Sequence, residues 1–188
     1  MTVVNIRGTN GSGKGYVVKR LMSKGTCISR YGLLGARIPE AYCVQVTQAD
    51  FPIYVLGPYQ ATANESYDTG GCDRIQPYDK IITLLNKYVD KGNIVFEGSL
   101  VSDNYGKIGE WLEKRGREAV VAFLTTPLKD CLSQLRGRTE GAGVKHVEKR
   151  YNAVQKVRGK FLAGGKVTVL DISSSTGAET ILKCLRGG

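Results

Sequence analysis

Histidine and organised cysteine are what this chain most lacks. It has one histidine, His146, in 188 residues, and its five cysteines (Cys27, Cys43, Cys72, Cys131, Cys184) form no C-x-x-C pair. That inventory builds neither a His-rich metal site nor a structural zinc site, and it reads as the reduced thiols of a cytoplasmic protein. No apolar run is long enough to cross a membrane. The N-terminus has no charged start followed by an apolar stretch, so no secretory signal is expected. Internal repeats, low-complexity tracts and linkers are absent as well. What remains is 41% hydrophobic, as an ordinary globular chain is. Its length fits one α/β domain spanning 1–188 with a core of its own.

Charge of one sign is in surplus. There are 27 Lys and Arg against 17 Asp and Glu, a net +10. Between Lys129 and Lys166 stand ten basic and three acidic residues, so seven of the ten net charges fall there. A basic face suits a polyanionic partner. It equally suits nucleotide phosphates or plain solubility, and charge alone does not choose.

The pattern alternates strand and helix. "TVVNIR" is a short β-branched apolar run, expected to be a strand buried on both faces. A helix is predicted over 14–24, with Val17, Val18, Leu21 and Met22 inward and Gly25 closing it. "AYCVQVTQADFPIYVLGPY" holds two β-rich runs around "QAD" and predicts a hairpin. "QATANESYDTGGCDRI" has no periodicity and reads as a functional loop. Pro77 suits the first turn of a helix carrying Ile81, Ile82, Leu85 and Val89 and stopped by Gly92. "NIVFEG" and "AVVAFLTT" are further buried strands, with a helix over 105–115 between them. Thr126 is placed to cap the next helix. Val144, Val147, Tyr151, Val154 and Val157 mark a longer basic helix. "KVTVLDI" is the last strand, and Thr176 with Glu179 spells a capping box for a terminal helix. The expected fold is a mainly parallel five-stranded sheet with helices on both faces, a β-hairpin insertion and a basic lid. The hairpin and substrate region would span about 38–75, and the lid about 136–150. Ligands on such sheets bind at the carboxyl ends of the strands.

The chemistry starts at "GTNGSGKGY". Gly8, Thr9, Asn10, Gly11, Ser12, Gly13 and Lys14 follow the spacing G-x-x-x-x-G-K. Between a buried strand and an amphipathic helix, this is a phosphate-binding loop. Its backbone N–H groups and the helix N-terminus converge on phosphate oxygens, and Lys14 reaches the β- and γ-phosphates. The loop normally ends in Ser or Thr, a Mg²⁺ ligand; here Gly15 stands there, followed by Tyr16. Water or a carboxylate would have to fill that coordination place. Glu97, at the tip of "NIVFEG", is the candidate for holding Mg²⁺ through water or for orienting the acceptor. Asp73, after the two glycines of "TGGCD", is the candidate base for a hydroxyl acceptor, and Asp68 is a weaker one. Asp73 reads almost equally well as a turn or helix-start residue ahead of Pro77. Cys72 reads as a packed thiol. Arg136 and Arg138 are candidates for stabilising charge on a transferring phosphoryl group, on a lid hinged at Gly137, Gly141 and Gly143. A solvated basic helix end is the alternative; the lid is preferred for Arg136 and Arg138, and for Lys149 and Arg150 neither is preferred. Tyr54, Tyr59 and Tyr67 read as base-stacking groups or, more commonly, as packing.

"NIRGTNGSGK", "YVLGPYQ", "TGGCDRI", "IVFEGSLVSDNYG" and "VAFLTTPLKDCLSQLRGR" occur in that order. Together they resemble the bacteriophage 5-hydroxymethyluracil DNA kinases, small P-loop kinases, over roughly the first three-quarters of the chain, to Arg138. The combination of "VLGPY" with "GGCD" is the specific part. The resemblance implies ATP-dependent phosphorylation, with Mg²⁺, of a hydroxymethyl group on a pyrimidine in DNA, within the cytoplasm of an infected bacterial host. Gly8 to Lys14 would bind ATP, and Asp73, Glu97, Arg136 and Arg138 match family positions. The chain departs from the family at Gly15, where Ser or Thr is usual, and at Thr69, where a Cys is expected. A DNA substrate would use the positive charge and would require the target base to leave the stack. Two readings compete with this one: a kinase of free nucleosides or nucleoside monophosphates, and a DNA-binding P-loop protein that has lost turnover.

Overall fold

The computed structural model describes residues 1–31, 39–47, 49–59, 71–136 and 144–186. Five strands run parallel, in the spatial order β4 (Ile53–Leu56), β5 (Asn93–Glu97), β1 (Val3–Arg7), β6 (Ala119–Leu124) and β7 (Thr168–Ile172). The hairpin expected around "QAD" is formed by β3 (Ala41–Gln45) and β4. It is not a separate insertion: β4 pairs directly with β5, and β3 and then β2 (Thr26–Tyr31) extend the same sheet to seven strands. Sequence periodicity marked the β-rich region but not its pairing partner, because pairing is a non-local choice.

Side chains of the parallel strands alternate between two cores, as the two-residue strand period dictates. Val4, Ile6, Val55, Val95, Val120 and Ala122 face α1 (Lys14–Met22) and α7 (Gly177–Leu185), which supply Val17, Val18, Leu21, Ile181 and Leu182. Val3, Leu56, Ile94, Phe96, Val121 and Phe123 face α2 (Lys80–Tyr88), α4 (Gly106–Arg115) and α6 (Val144–Gly164). Both faces are therefore covered, and each fully buried aliphatic or aromatic side chain contributes about 1.5–3 kcal/mol.

Several local expectations are corrected. The helix after Pro77 begins only at Lys80, and Leu84 and Tyr88 join its buried stripe while Ile82 is only partly buried. On α6, Phe161 is buried and Val144 is exposed. The capping box before α7 does not form: Thr176 Oγ1 pairs with Ser173 Oγ, and Glu179 instead makes ion pairs with Arg20 and Lys24 of α1. A cross-element charge pair displaced the local reciprocal bond. Between β5 and α4 lies a short helix that was not among the expected elements, α3 (Ser99–Ser102), whose start proves to matter for the site.

β1 is the middle one of the five parallel strands, with β5 on one side and β6 on the other, so the crevice opens at its carboxyl end. Arg7 anchors that end. Its side chain is fully buried, donates to Asn5 Oδ1 and to the carbonyls of Ser102 and Asn104, and lies 5.0 Å over the Phe161 ring. Burial lowers its pKa to about 9. A charge buried at that cost survives because it ties the strand to the segment after α3.

Candidate active site

The phosphate loop leaves β1 at Arg7 and enters α1 at Lys14. Two glycines make this passage possible. Gly11 and Gly13 have φ of +77° and +96°, and a Cβ on Gly11 would lie 2.4 Å from the Cys131 carbonyl oxygen. Only glycine accepts both constraints without strain. The loop is braced from three sides. Gly8 N–H donates to Ser102 Oγ at 3.2 Å, Thr9 Oγ1 donates to the Val147 carbonyl at 3.4 Å, and Thr126 Oγ1 donates to the Ser12 carbonyl at 2.8 Å. The last bond corrects the expected capping role of Thr126: its hydroxyl holds the phosphate loop. Asn10 Oδ1 accepts from Ser99 Oγ at 2.6 Å, linking the loop to α3. Ser12 Oγ is buried without a hydrogen-bond partner, and Tyr16 projects from α1 with its side chain exposed.

Lys14 is buried and folds back on its own loop, donating to the carbonyls of Gly8 (2.8 Å) and Thr9 (3.0 Å). Burial lowers its pKa, and the charges of Glu97 and Asp73 oppose that shift. Glu97 ends β5, in register with Ile6 of β1, and is 4% exposed. Its Oε1 accepts the Tyr59 hydroxyl at 3.0 Å. Burial raises its pKa to about 7, against the pull of Lys14. Gly71 packs so tightly on this carboxylate that a Cβ there would stand 2.3 Å from Oε1. The Cβ direction of Gly15 also points at Glu97 Oε1, 3.9 Å away. Position 15 therefore faces Glu97, the one buried carboxylate beside the loop among the described residues.

Asp73 lies in a 3₁₀ turn, Cys72–Arg74. Its Oδ2 accepts the Ser99 N–H at 2.7 Å and its Oδ1 the Leu100 N–H at 2.9 Å, so it caps the start of α3 across 26 residues of sequence. It is a helix-start Asp, though not for the helix that follows Pro77. Each oxygen keeps a further lone pair. Cys72 is 1% exposed with its pKa raised well above the usual value by burial, which makes it a packed thiol. Tyr54 stacks on Tyr88 at 4.6 Å, as packing. Arg136 closes α5 (Leu128–Arg136). Arg138, Asp68, Tyr67 and Thr69 lie outside the described residues. Sequence reasoning passed over Tyr59 as the partner of Glu97, and over Ser99, Ser102 and Asp103. The signal for the serines was present: a hydroxyl two residues after a strand-tip carboxylate starts a helix facing the loop.

The pieces converge chemically. A glycine loop offers backbone N–H groups, a lysine stands at the helix start, and two carboxylates from separate segments are close enough to act electrostatically on that lysine. Among the described residues no group of three or more His, Cys, Asp or Glu could hold a metal unaided. A parallel strand feeding such a loop defines a P-loop nucleotide-binding protein. The fold resembles that of the solved structure of deoxyadenosine kinase from M. mycoides with bound dATP, at a TM-score of 0.50 and 12% identity, covering 99% of this chain and 100% of that one. No family model matches the sequence. Curated relatives do. A 5-hmdU DNA kinase of Pseudomonas phage M6 is 32% identical over 186 residues, 96% of either chain. A 5-hmdU DNA kinase of Pseudomonas phage PaMx11 is 29% identical over 137 residues, 72% of this chain and 68% of the relative. The 5-hmdU DNA kinase 1 of Salmonella phage ViI is 26% identical over 170 residues, 83% of this chain and 70% of the relative. The chain belongs to the 5-hmdU DNA kinase family. The relationship extends well past Arg138, where the motif resemblance ended.

Proposed function

We propose that this kinase transfers the γ-phosphoryl group of ATP to the hydroxymethyl oxygen of 5-hydroxymethyluracil in DNA, as a step of phage DNA hypermodification in the cytoplasm of the infected host. One observation carries the reading: 32% identity to a 5-hmdU DNA kinase along 96% of both chains. In the reaction the hydroxymethyl oxygen forms a bond to the γ-phosphorus, the bond to the β,γ-bridging oxygen breaks, and ADP departs with that electron pair. The acceptor's proton passes to a base.

Each residue role follows from the chemistry of its position. The loop from Gly8 to Tyr16 cradles the phosphates with backbone N–H groups that its own bracing bonds leave open. Lys14 exchanges the Gly8 and Thr9 carbonyls for β- and γ-phosphate oxygens. Asp73, immobilised by two backbone N–H groups, uses a remaining lone pair to take the acceptor proton. Arg136 and Arg138 bring charge to the transferring group from a lid over about 136–150. Glu97 fits a role in holding Mg²⁺ through water: it is a carboxylate opposite position 15, where Gly15 leaves room for a water in place of a hydroxyl. Mg²⁺ bound there would neutralise charge on the phosphates. Tyr59 and Gly71 orient Glu97. The net +10 charge gives DNA binding its phosphate contacts, and the target base leaves the stack to reach the site.

The test uses γ-labelled ATP, Mg²⁺ and three acceptors: DNA containing 5-hydroxymethyluracil, the same DNA with thymine, and the free modified nucleotide. Label in the modified DNA alone is expected. Label only in the free nucleotide would assign a metabolic kinase, and no label with ATP bound would assign a binder without turnover.

A further inference from the structure

Arg150 sits on the first turns of α6, in the basic region whose purpose the sequence leaves open. Its Nε approaches Asp103 Oδ2 at 3.5 Å, with the two side chains 20% and 22% exposed. Close neighbours of both partners brace the start of the phosphate loop. Ser102, next to Asp103, receives the Gly8 N–H, and Val147, three residues before Arg150 and so on the same face of the helix, receives the Thr9 hydroxyl. Gly8 and Thr9 are also the two residues whose carbonyls hold the Lys14 ammonium. Arg150 is close enough for its charge to act on Lys14, and Lys14 in turn acts on Asp103.

A guanidinium placed near another cation, and paired through a contact longer than the 2.7–2.9 Å of a charge-assisted hydrogen bond, is poorly satisfied where it is. Cations that act on one another repel, and an anion shared by both relieves the repulsion. A phosphate offers that anion with the planar oxygen pair that an arginine fork matches. We propose that Arg150 is a phosphate-binding residue of this site, kept on Asp103 until a phosphate oxygen takes over its guanidinium. The inference rests on the kinase reading above. The phosphate comes from one of two sources, the nucleotide or the DNA strand, and Asp103 holds the guanidinium only until that phosphate arrives.

The experiment compares wild type with Arg150→Ala, Arg150→Lys and Asp103→Asn. ATP affinity is measured by calorimetry, and affinity for DNA containing 5-hydroxymethyluracil is measured across a salt series, with circular dichroism to check folding. The expected result is about a tenfold loss for Arg150→Ala with one ligand, partly restored by Arg150→Lys. A nucleotide source shows as weaker ATP binding with DNA affinity unchanged. A DNA source shows as weaker DNA binding with a salt slope smaller by about 0.7–0.9. Asp103→Asn releases the arginine and should leave that affinity intact or tighter. If Arg150→Ala folds and binds both ligands like wild type, the proposal is overturned. It is overturned too if Asp103→Asn weakens binding as much as Arg150→Ala does, since the pair is then a strut. Should Arg150→Ala not fold, Arg150→Lys and Asp103→Asn carry the same comparison. Failure of the acceptor assignment is separate: wild type would bind ATP yet label no modified DNA, and the nucleotide arm would still decide the role of Arg150.

Discussion

Replacing Glu97 by Gln tests the electrostatics of the site without relying on turnover. Gln keeps the shape, and its Oε1 can still accept the Tyr59 hydroxyl, so the change removes charge and little else. In the folded protein burial raises the Glu97 pKa from the ordinary 4.5 to about 7. A carboxyl group that holds its proton more tightly when folded makes stability fall as pH rises from near 4.5 to about 7, after which the cost is constant. That shift corresponds to about 3 kcal/mol by pH 8 and only about 1 kcal/mol at pH 5, because pH 5 lies only about half a unit above the unfolded pKa. Glu97→Gln should therefore be more stable than wild type by about 3 kcal/mol at pH 8, with the gap shrinking to about 1 kcal/mol at pH 5. Urea unfolding at both pH values, with chelator and without nucleotide, reads this directly. A gap that does not change with pH, or a variant less stable than wild type at pH 8, would refute the reasoning. It would mean that Lys14 compensates the carboxylate fully and that burial does not strain it. In the transfer assay the same variant should be inactive, a stability gain at the expense of function.

The remaining predictions concern the other site positions. Lys14→Ala should weaken ATP binding and lower phosphoryl transfer by at least about 10²-fold, read by calorimetry and γ-label transfer; intact affinity would remove Lys14 from the phosphates. Asp73→Asn should lower transfer by about 10²–10⁴-fold while leaving ATP affinity unchanged. It also gives up one charge-assisted cap on α3, about 1 kcal/mol in denaturant unfolding. Near-normal turnover with the stability loss alone would make Asp73 purely a cap. Gly15→Ser places a hydroxyl toward Glu97 Oε1 and should lower the Mg²⁺ concentration needed for half-maximal activity. An unchanged Mg²⁺ titration would show that position 15 does not serve the metal.

Local order explains which features could be read in advance. The phosphate loop is a contiguous motif whose glycines, lysine and flanking strand and helix are all neighbours in sequence, so spacing alone exposed it. The buried strands announced themselves as β-branched runs, and their alternation with helices implied a parallel sheet. Glu97 was legible because a carboxylate ended such a run. Other features were closed to sequence reasoning. Thr126 and Glu179 had plausible local partners, yet their hydrogen bonds and ion pairs went to the phosphate loop and to α1. A local cap and a distant partner compete for the orientation of the same side chain, and only packing decides which wins.

The sequence by itself determined the class: a nucleotide-binding loop at the carboxyl end of a parallel sheet, in a basic chain whose motifs match one phage kinase family. The tertiary structure decided how the loop is served. It set Tyr59 and Gly71 against Glu97, turned position 15 toward that carboxylate, bound Asp73 to the start of α3, and brought the Asp103–Arg150 pair beside Gly8 and Thr9. Those contacts join residues from 26 to 138 positions apart. No local propensity encodes such distances, because they are realised only when the sheet assembles and its two cores close.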